Sequence, residues 1–347
     1  MKPIMILPAY KPDDLMLDML KELKSSGFTD LVIVDDGSGE EYLPVFEKAK
    51  KAFGATVLSH AINLGKGRAI KTAFNHILDN YPGRGAIICD ADGQHPVESV
   101  LAVAEAMEKY PGCFIMAVRN FFKVKVPLPN LLGNTITRIT FFLLCGIWFS
   151  DTQCGLRGYP PGIMKAFLSV KGERYEYENT TLLAMRARRI ETYEVPMNAV
   201  YIRGNASSHF DKLWDSARIY QSLLSFARIP ILASTVCIVL FYILLLALPL
   251  AAPLCAIVSA GSACLAGWLL QVLVVRNKWL GMTAALLISA AFAGAMALLH
   301  GLAGINPSGS FWIASVPFAF ISYTTLMLLR YRGRPKLHKP YKKHCKG

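Results

Sequence analysis

Four apolar stretches, at 229–248, 254–275, 279–299 and 311–329, constrain this chain more than anything else in it. Each is about 20 residues, the length of a helix that crosses a hydrocarbon layer of ~30 Å. Arg228 precedes the first, Arg276 and Lys278 separate the second from the third, and the tail from Arg330 to Lys346 is basic. The other two connections carry no Lys or Arg. Basic loops stay on the cytoplasmic side, so the alternation predicts four spans with both ends cytoplasmic. No Asp or Glu lies inside the stretches, which argues against an ion or proton path. They read as an anchor and a platform for a lipid. Buried helices of a large soluble core are the alternative, disfavoured by the lengths and by the charge alternation.

Charge also divides the chain. It holds 37 Lys and Arg against 24 Asp and Glu, a net +13, yet 12 of the bases and none of the acids follow Asp215. The first 215 residues balance 25 bases against 24 acids, so basicity belongs to the tail and points to no nucleic-acid partner. The eight cysteines (Cys89, Cys113, Cys145, Cys154, Cys237, Cys255, Cys264, Cys345) form no CxxC pair and read as reduced, structural residues. The run Ile4 to Leu7 is too short for a signal peptide, so the front half is expected in the cytoplasm. The boundaries follow: a catalytic domain over 1–209, a juxtamembrane amphipathic helix over 210–228, a four-span domain over 229–330 and a basic cytoplasmic tail over 331–347.

The front half alternates buried strand patterns at 4–8, 31–34, 56–58, 86–89 and 114–118 with helix patterns at 12–26, 66–79 and 96–110. Strand–helix alternation predicts an α/β fold, a mostly parallel sheet with helices on both faces, followed here by an all-α four-helix membrane domain. Polar clusters fall directly after strands: Pro8 to Tyr10, Asp35 to Ser38, Asp90 to Gln94, and Arg119. In open α/β sheets, ligands bind outside the carboxyl ends of strands, so the four clusters describe one crevice.

Each cluster alone has a plain reading. Asp35-Asp36-Gly37 also makes an ordinary turn. Asp90-Ala91-Asp92-Gly93-Gln94 begins like a calcium loop, but glycine stands at its fourth position and Leu101 at its twelfth, which excludes an EF-hand. Asp90, Asp92 and Gln94 instead suit oxygen ligation of Mg²⁺ or Mn²⁺ with diphosphate oxygens completing the shell. Asn63-Leu64-Gly65-Lys66-Gly67-Arg68 lacks the P-loop spacing, although Lys66 and Arg68 at a helix start would suit a donor phosphate.

The succession PAYKP, VDDGS, NLGKGRA, DADGQH and AVRN resembles family 2 glycosyltransferases of GT-A fold. It is most similar to polyprenyl-phosphate glycosyltransferases of the dolichyl-phosphate mannose synthase type. Asp151-Thr152-Gln153-Cys154-Gly155-Leu156-Arg157 resembles a further segment of that group. Gly172-Glu173-Arg174-Tyr175-Glu176-Tyr177-Glu178 and Ser207-Ser208-His209-Phe210 resemble a bacterial branch carrying a GtrA-like four-span domain. One departure is Ser207-Ser208-His209 where the synthases often carry Ser-Lys-Leu, so no acceptor role for that lysine carries over.

The resemblance implies an inverting hexosyltransferase in the plasma membrane. Its donor would be a nucleotide-sugar, a UDP-sugar ahead of GDP-mannose, and its acceptor polyprenyl (undecaprenyl) phosphate for cell-envelope glycans. Asp36 with Pro8 and Tyr10 would hold the nucleoside, Asp35 would support their loop, and Asp90, Asp92 and Gln94 would carry the metal. Arg119 and Arg138 are candidates for phosphate contacts, because guanidinium matches phosphate oxygens bidentately. Arg157 would assist, or else pair with Asp151. Arg138 is the lone charge within the apolar stretch 131–149, which with 210–228 is expected at the membrane surface. A glycan or glycolipid acceptor, and a lipid-linked sugar flippase with a degenerate catalytic domain, are the alternatives. Homo-oligomerisation stays open.

Overall fold

The computed structural model describes residues 2–119, 128–145, 148–197, 214–224, 243 and 337–338. The four apolar stretches lie outside the described residues except for Ile243, and so does the segment 198–213 with its Ser207-Ser208-His209 motif. Among the described residues, no helix is long and apolar enough to cross a membrane. The chain divides into two compact units, one of residues 1–140, 147–222 and 334–347, the other of 141–146 and 223–333. The sheet belongs to the first.

All five expected strands form: β1 (Ile4–Ala9), β2 (Leu31–Asp35), β3 (Thr56–Ser59), β4 (Ala86–Ile88) and β5 (Phe114–Arg119). Every residue of β2 is buried, as expected of a parallel strand covered on both faces. The helix α1 (Asp14–Ser25) starts where the Asp13 carboxylate accepts the Leu15 N–H at 3.1 Å. Between β2 and β3 lies α2 (Leu43–Phe53), with proline in its first turn and Gly54 closing it at φ +61°. The remaining expected helices are α3 (Lys66–Asn80) and α4 (Val97–Lys109). Beyond β5 come α5 (Leu128–Cys145), β6 (Arg157–Tyr159), α6 (Pro161–Phe167), α7 (Glu176–Arg188), β7 (Thr192–Met197), α8 (Trp214–Leu224) and β8 (Leu337–His338).

The sheet runs β3-β2-β1-β4-β6-β5-β7-β8. Its pairings are parallel except around β6, which is antiparallel to both β4 and β5. Alternate strand residues face opposite layers. Met5, Leu7, Ile33, Ile87 and Ile115 form one core with α1, α2 and α4. Ile4, Ile6, Val32 and Phe114 are fully buried on the other side, the side of α3, where the Tyr159 ring meets Phe74, Phe114 and Phe167 edge-on at 4.9, 5.0 and 5.8 Å. The expected α/β class, with helices on both faces of a mostly parallel sheet, therefore holds.

Two consequences of this topology build the site. The chain leaves β1 toward β2 on one side and reaches β4 on the other, so a switch point opens at their carboxyl ends. Because β6 runs backwards, the segment before it, 151–156, arrives at that same edge.

Candidate active site

The loops after β1 and β2 are tied together first. Ser38 N–H donates to Asp35 Oδ1 at 2.9 Å, and Lys11 N–H donates to Ser38 Oγ at 2.9 Å. Lys11 sits at φ +50°, a left-handed conformation that the bond helps hold. Asp36 then fixes the loop before α3. Its carboxylate accepts the Leu64 N–H at 2.9 Å and the Gly65 N–H at 2.7 Å, while His60 Nδ1 lies 2.7 Å from Oδ1. The other ring nitrogen of His60 reaches Thr72 Oγ1 at 2.9 Å. The resemblance implied Asp36 on the nucleoside and Asp35 beneath it. Both side chains are buried: Asp35 supports its own turn, and Asp36 holds the segment 60–65. Pro8 and Tyr10 are half-buried at the end of β1.

After β4, the Asp92 carboxylate accepts the Gln94 N–H at 3.0 Å, closing a tight turn. His95 is buried beneath it, its Nδ1 accepting the Asp90 N–H at 3.2 Å, which leaves the ring proton on Nε2. Burial depresses the His95 pKa and keeps the ring neutral. Lys66, the first residue of α3, extends into the same place. Its ammonium is 2.5 Å from Asp90 Oδ1 and 3.0 Å from Glu178 Oε1 on α7. Burial works against the charge on Lys66, but Asp90 and Glu178 outweigh it and hold the ammonium above its usual range. Burial likewise works to raise Asp90, and Lys66 overturns it, leaving Asp90 low. Asp92 ends up raised, by burial and then by the Asp90 charge beside it.

Glycine is required twice here. A Cβ at Gly155 would lie 2.3 Å from Asp90 Oδ2, so any side chain there would invade the carboxylate. A Cβ at Gly67 would lie 2.5 Å from the Tyr177 Cβ. The glycines of 63–68 thus have a packing reason, the docking of α3 against the 173–177 segment. Arg68, expected at a donor phosphate, pairs with Glu173 at 2.6 Å and is half exposed, and its N–H donates to the Glu173 carbonyl at 2.8 Å.

The arginines sort differently from expectation. Asp151, fully buried, receives Arg119 Nε at 2.7 Å and Nη2 at 3.0 Å, together with the N–H groups of Arg119 and Gln153. Arg119 is therefore engaged by Asp151, and the expected Arg157–Asp151 pair does not form. Arg157 is fully buried, and its guanidinium donates to the carbonyls of Cys154, Thr152 and Glu178 and to Thr181 Oγ1. It ties the 151–157 segment to α7 and has no exposed face to offer a substrate. Arg138 does keep one. It is half-buried on α5, donates through Nε to the Phe149 carbonyl at 2.9 Å, and lies 4.8 Å from the Trp148 ring centroid. Among the described residues no acid pairs with it.

Around Arg138 the helix is exposed and apolar: Leu131, Leu132, Ile136 and Ile139 are 39–61% accessible. On α8, part of the amphipathic helix expected over 210–228, the buried face is Asp215, Ile219 and Leu223. Ala217 is exposed, and Leu213 and Ala227 lie outside the described residues. The cysteines Cys89, Cys113 and Cys154 are free thiols, as expected.

Asp90 and Asp92 fit a divalent cation: two carboxylates two residues apart, the second raised by burial and then by the charge of the first. Among the described residues, no group of three or more His, Cys, Asp and Glu makes a metal site by itself. The pair suits a cation whose shell a diphosphate completes.

Residues 5–161 match the model of the family "Glycosyl transferase family 2". An uncharacterised protein of Methanocaldococcus jannaschii is 30% identical over 200 residues, covering 56% of this chain and 80% of that protein. The chain belongs to glycosyl transferase family 2. With that membership the expected enzyme class, a hexosyltransferase, stands. A further relative, the UDP-N-acetylglucosamine–dolichyl-phosphate N-acetylglucosaminyltransferase of Methanococcus voltae, is 23% identical over 57% of this chain and 85% of its own length. The undecaprenyl-phosphate 4-deoxy-4-formamido-L-arabinose transferase of Edwardsiella ictaluri is 26% identical over 55% of this chain, which spans 58% of that protein. Sequence reasoning gave Glu178, His95, His60 and Gly155 no individual role in this family 2 site. Glu178 and Gly155 depend on α7 and the reversed β6, for which the sequence carried no strong signal.

Proposed function

We propose that this chain is a membrane-bound, inverting glycosyltransferase that moves a hexosyl group from a nucleotide-sugar to a polyprenyl phosphate for cell-envelope glycan modification. The observation that carries this reading is Arg138, a cation without an acidic partner among the described residues, set on an exposed apolar helix beside Trp148. A lipid phosphate supplies the anion and the apolar neighbour together. The two named relatives that act on dolichyl and undecaprenyl phosphates support the same acceptor class, and the first supports a UDP-sugar donor.

Asp90, Asp92 and Gln94 would hold Mg²⁺ or Mn²⁺, whose chemistry is to neutralise charge on the departing nucleoside diphosphate. A phosphate monoester is already anionic at neutral pH, so the site needs no strong base. Its work is to align two repelling anions: an acceptor oxygen attacks the anomeric carbon as the bond to the diphosphate breaks on the far side. Pro8 and Tyr10 line the donor end, and the Asp36-held loop sets the start of α3 beside it. Radiolabelled donor with membrane extract should yield a mild-acid-labile lipid-linked sugar. Arg138→Ala should raise the apparent KM for polyprenyl phosphate about 10–150-fold, the worth of one charge-assisted contact, with donor affinity within about twofold. An elongated glycan as product, or no transfer at all, would refute the acceptor. Loss of donor binding in the variant would move Arg138 to the diphosphate.

The same proposal includes a GtrA-like four-span domain over 229–330 and a cytoplasmic tail. The pairing of β8 with β7, Leu337 beside Thr192 and His338 beside Tyr193, supports an even number of crossings, because strands of one sheet share one side of a bilayer. Single cysteines placed in a cysteine-free background should be labelled from outside at Gly309, and at Gly347 only after permeabilisation. The reverse pattern would exclude this topology.

A further inference from the structure

Lys66 stands in a place that the transfer reaction does not explain. Its ammonium bridges two acids from different elements, Asp90 after β4 and Glu178 on α7, at 2.5 and 3.0 Å. The three side chains are 14%, 27% and 12% exposed, so this is a nearly dry cluster. Asp92 adds a third carboxylate beside Asp90. The three carboxylates outnumber the Lys66 ammonium and the Arg157 guanidinium that also acts on Asp90 and Glu178, so the cluster keeps a negative balance that a further cation can answer. Asp90 cannot give Lys66 and a metal the same lone pairs. Glu178, by contrast, is a second seat already in contact with the ammonium and anchored on a different helix.

We propose that Lys66 is a tethered internal cation that occupies Asp90 when no divalent metal is bound and withdraws onto Glu178 when one arrives. Asp90 is then never left as an uncompensated, half-buried charge. The device also sets the metal affinity of the free enzyme. A metal must displace the ammonium from Asp90 and approach against its charge, so retention is weak until donor diphosphate adds its own oxygens. Metal and donor thereby bind as a unit. Gly155 keeps the exchange possible, since a side chain there would fill the space beside Asp90 Oδ2. Lys66 is a positioning residue in this scheme, and its first expected role, at the donor phosphate, is replaced by one at the carboxylates.

The inference rests on Asp90 and Asp92 as metal ligands, and the test separates the two. Mn²⁺ is titrated by paramagnetic resonance into the full-length, detergent-solubilised protein without donor. Asp92→Asn should lose the site; Mn²⁺ binding equal to wild type would show that the metal reading itself is wrong. Lys66→Met should tighten Mn²⁺ on the order of tenfold, by removing both the competitor and its repulsion. Glu178→Gln should weaken Mn²⁺ several-fold, because the ammonium then has no seat but Asp90. Should Lys66→Met fail to fold, the Glu178→Gln titration decides alone. An unchanged or weaker affinity in folded Lys66→Met, or an unchanged or tighter one in Glu178→Gln, overturns the inference and leaves Lys66 a structural strut.

Discussion

Asp92→Asn should lower transfer about a thousandfold while the protein folds normally. The substitution is nearly silent sterically: an asparagine oxygen can still accept the Gln94 N–H that Asp92 Oδ1 now accepts at 3.0 Å. Unlike Asp90, Asp92 makes no ion pair with Lys66, so the buried cluster at α3 and α7 survives the change. What is lost is one negative charge on a pair that would share a divalent cation with the donor. Charge stabilisation of ~4 kcal/mol at a departing diphosphate corresponds to about three decades in rate. Wild type in excess EDTA should fall equally far and recover with added Mn²⁺. The check is radiolabel transfer to lipid alongside a thermal melt. Near-wild-type turnover by a well-folded Asp92→Asn variant, or by wild type in EDTA, would remove the metal from the reaction.

The polar clusters of this site were legible because each interrupts an apolar run. Asp35, Asp90 and Arg119 close or directly follow buried strands, and the apolar runs that predict β2, β4 and β5 locate their ends as well. The helices α1, α3 and α4 were legible for a similar reason, since each has one apolar face and a recognisable stop. What stayed hidden was β6. Arg157, Gly158 and Tyr159 form no apolar run, and the strand exists because β4 and β5 leave a slot that its backbone fills in the antiparallel sense. Without β6, nothing in the sequence brings Gly155 against Asp90 or Asp151 against Arg119. Arg157 misleads for the same reason. An arginine in a polar motif suggests a phosphate, yet its partners are carbonyls supplied by a loop and a helix that periodicity cannot juxtapose. Glu178 sits six residues from Gly172 in an acidic helix start, indistinguishable in sequence from Glu173 and Glu176. Only the docking of α7 on α3 selects it for Lys66.

Asp151→Asn should be the most destabilising conservative change in the catalytic unit, by ~3–5 kcal/mol, because it removes one half of a buried ion pair and strands the other. Asp151 is fully buried and accepts four hydrogen bonds, two from the Arg119 side chain and two from backbone N–H groups. Asparagine offers a single acceptor oxygen and sets an NH₂ against donors. At 2–4 °C per kcal/mol for a unit of this size, the melting temperature should drop by about 10 °C. The pH dependence has a definite sign. Burial would raise the Asp151 carboxyl, but the Arg119 charge and its hydrogen bonds prevail and hold it below the ordinary value of 3.8. A carboxyl depressed on folding contributes stability above its unfolded pKa and loses it as pH falls through the folded one. The gap between wild type and variant should therefore be full at pH 7 and narrow only below about pH 4. The double variant Arg119→Met with Asp151→Leu, which replaces the pair by apolar groups, should recover part of the stability, because no charge is stranded although the Arg119 and Gln153 N–H groups lose their acceptor. If it recovers stability and transfer together, the pair is scaffold alone; stability without transfer would give Arg119 a part at the phosphates as well. A melting temperature within about 2 °C of wild type for Asp151→Asn, or a gap that does not narrow at low pH, would mean that this ion pair does not hold the 151–157 segment to the end of β5.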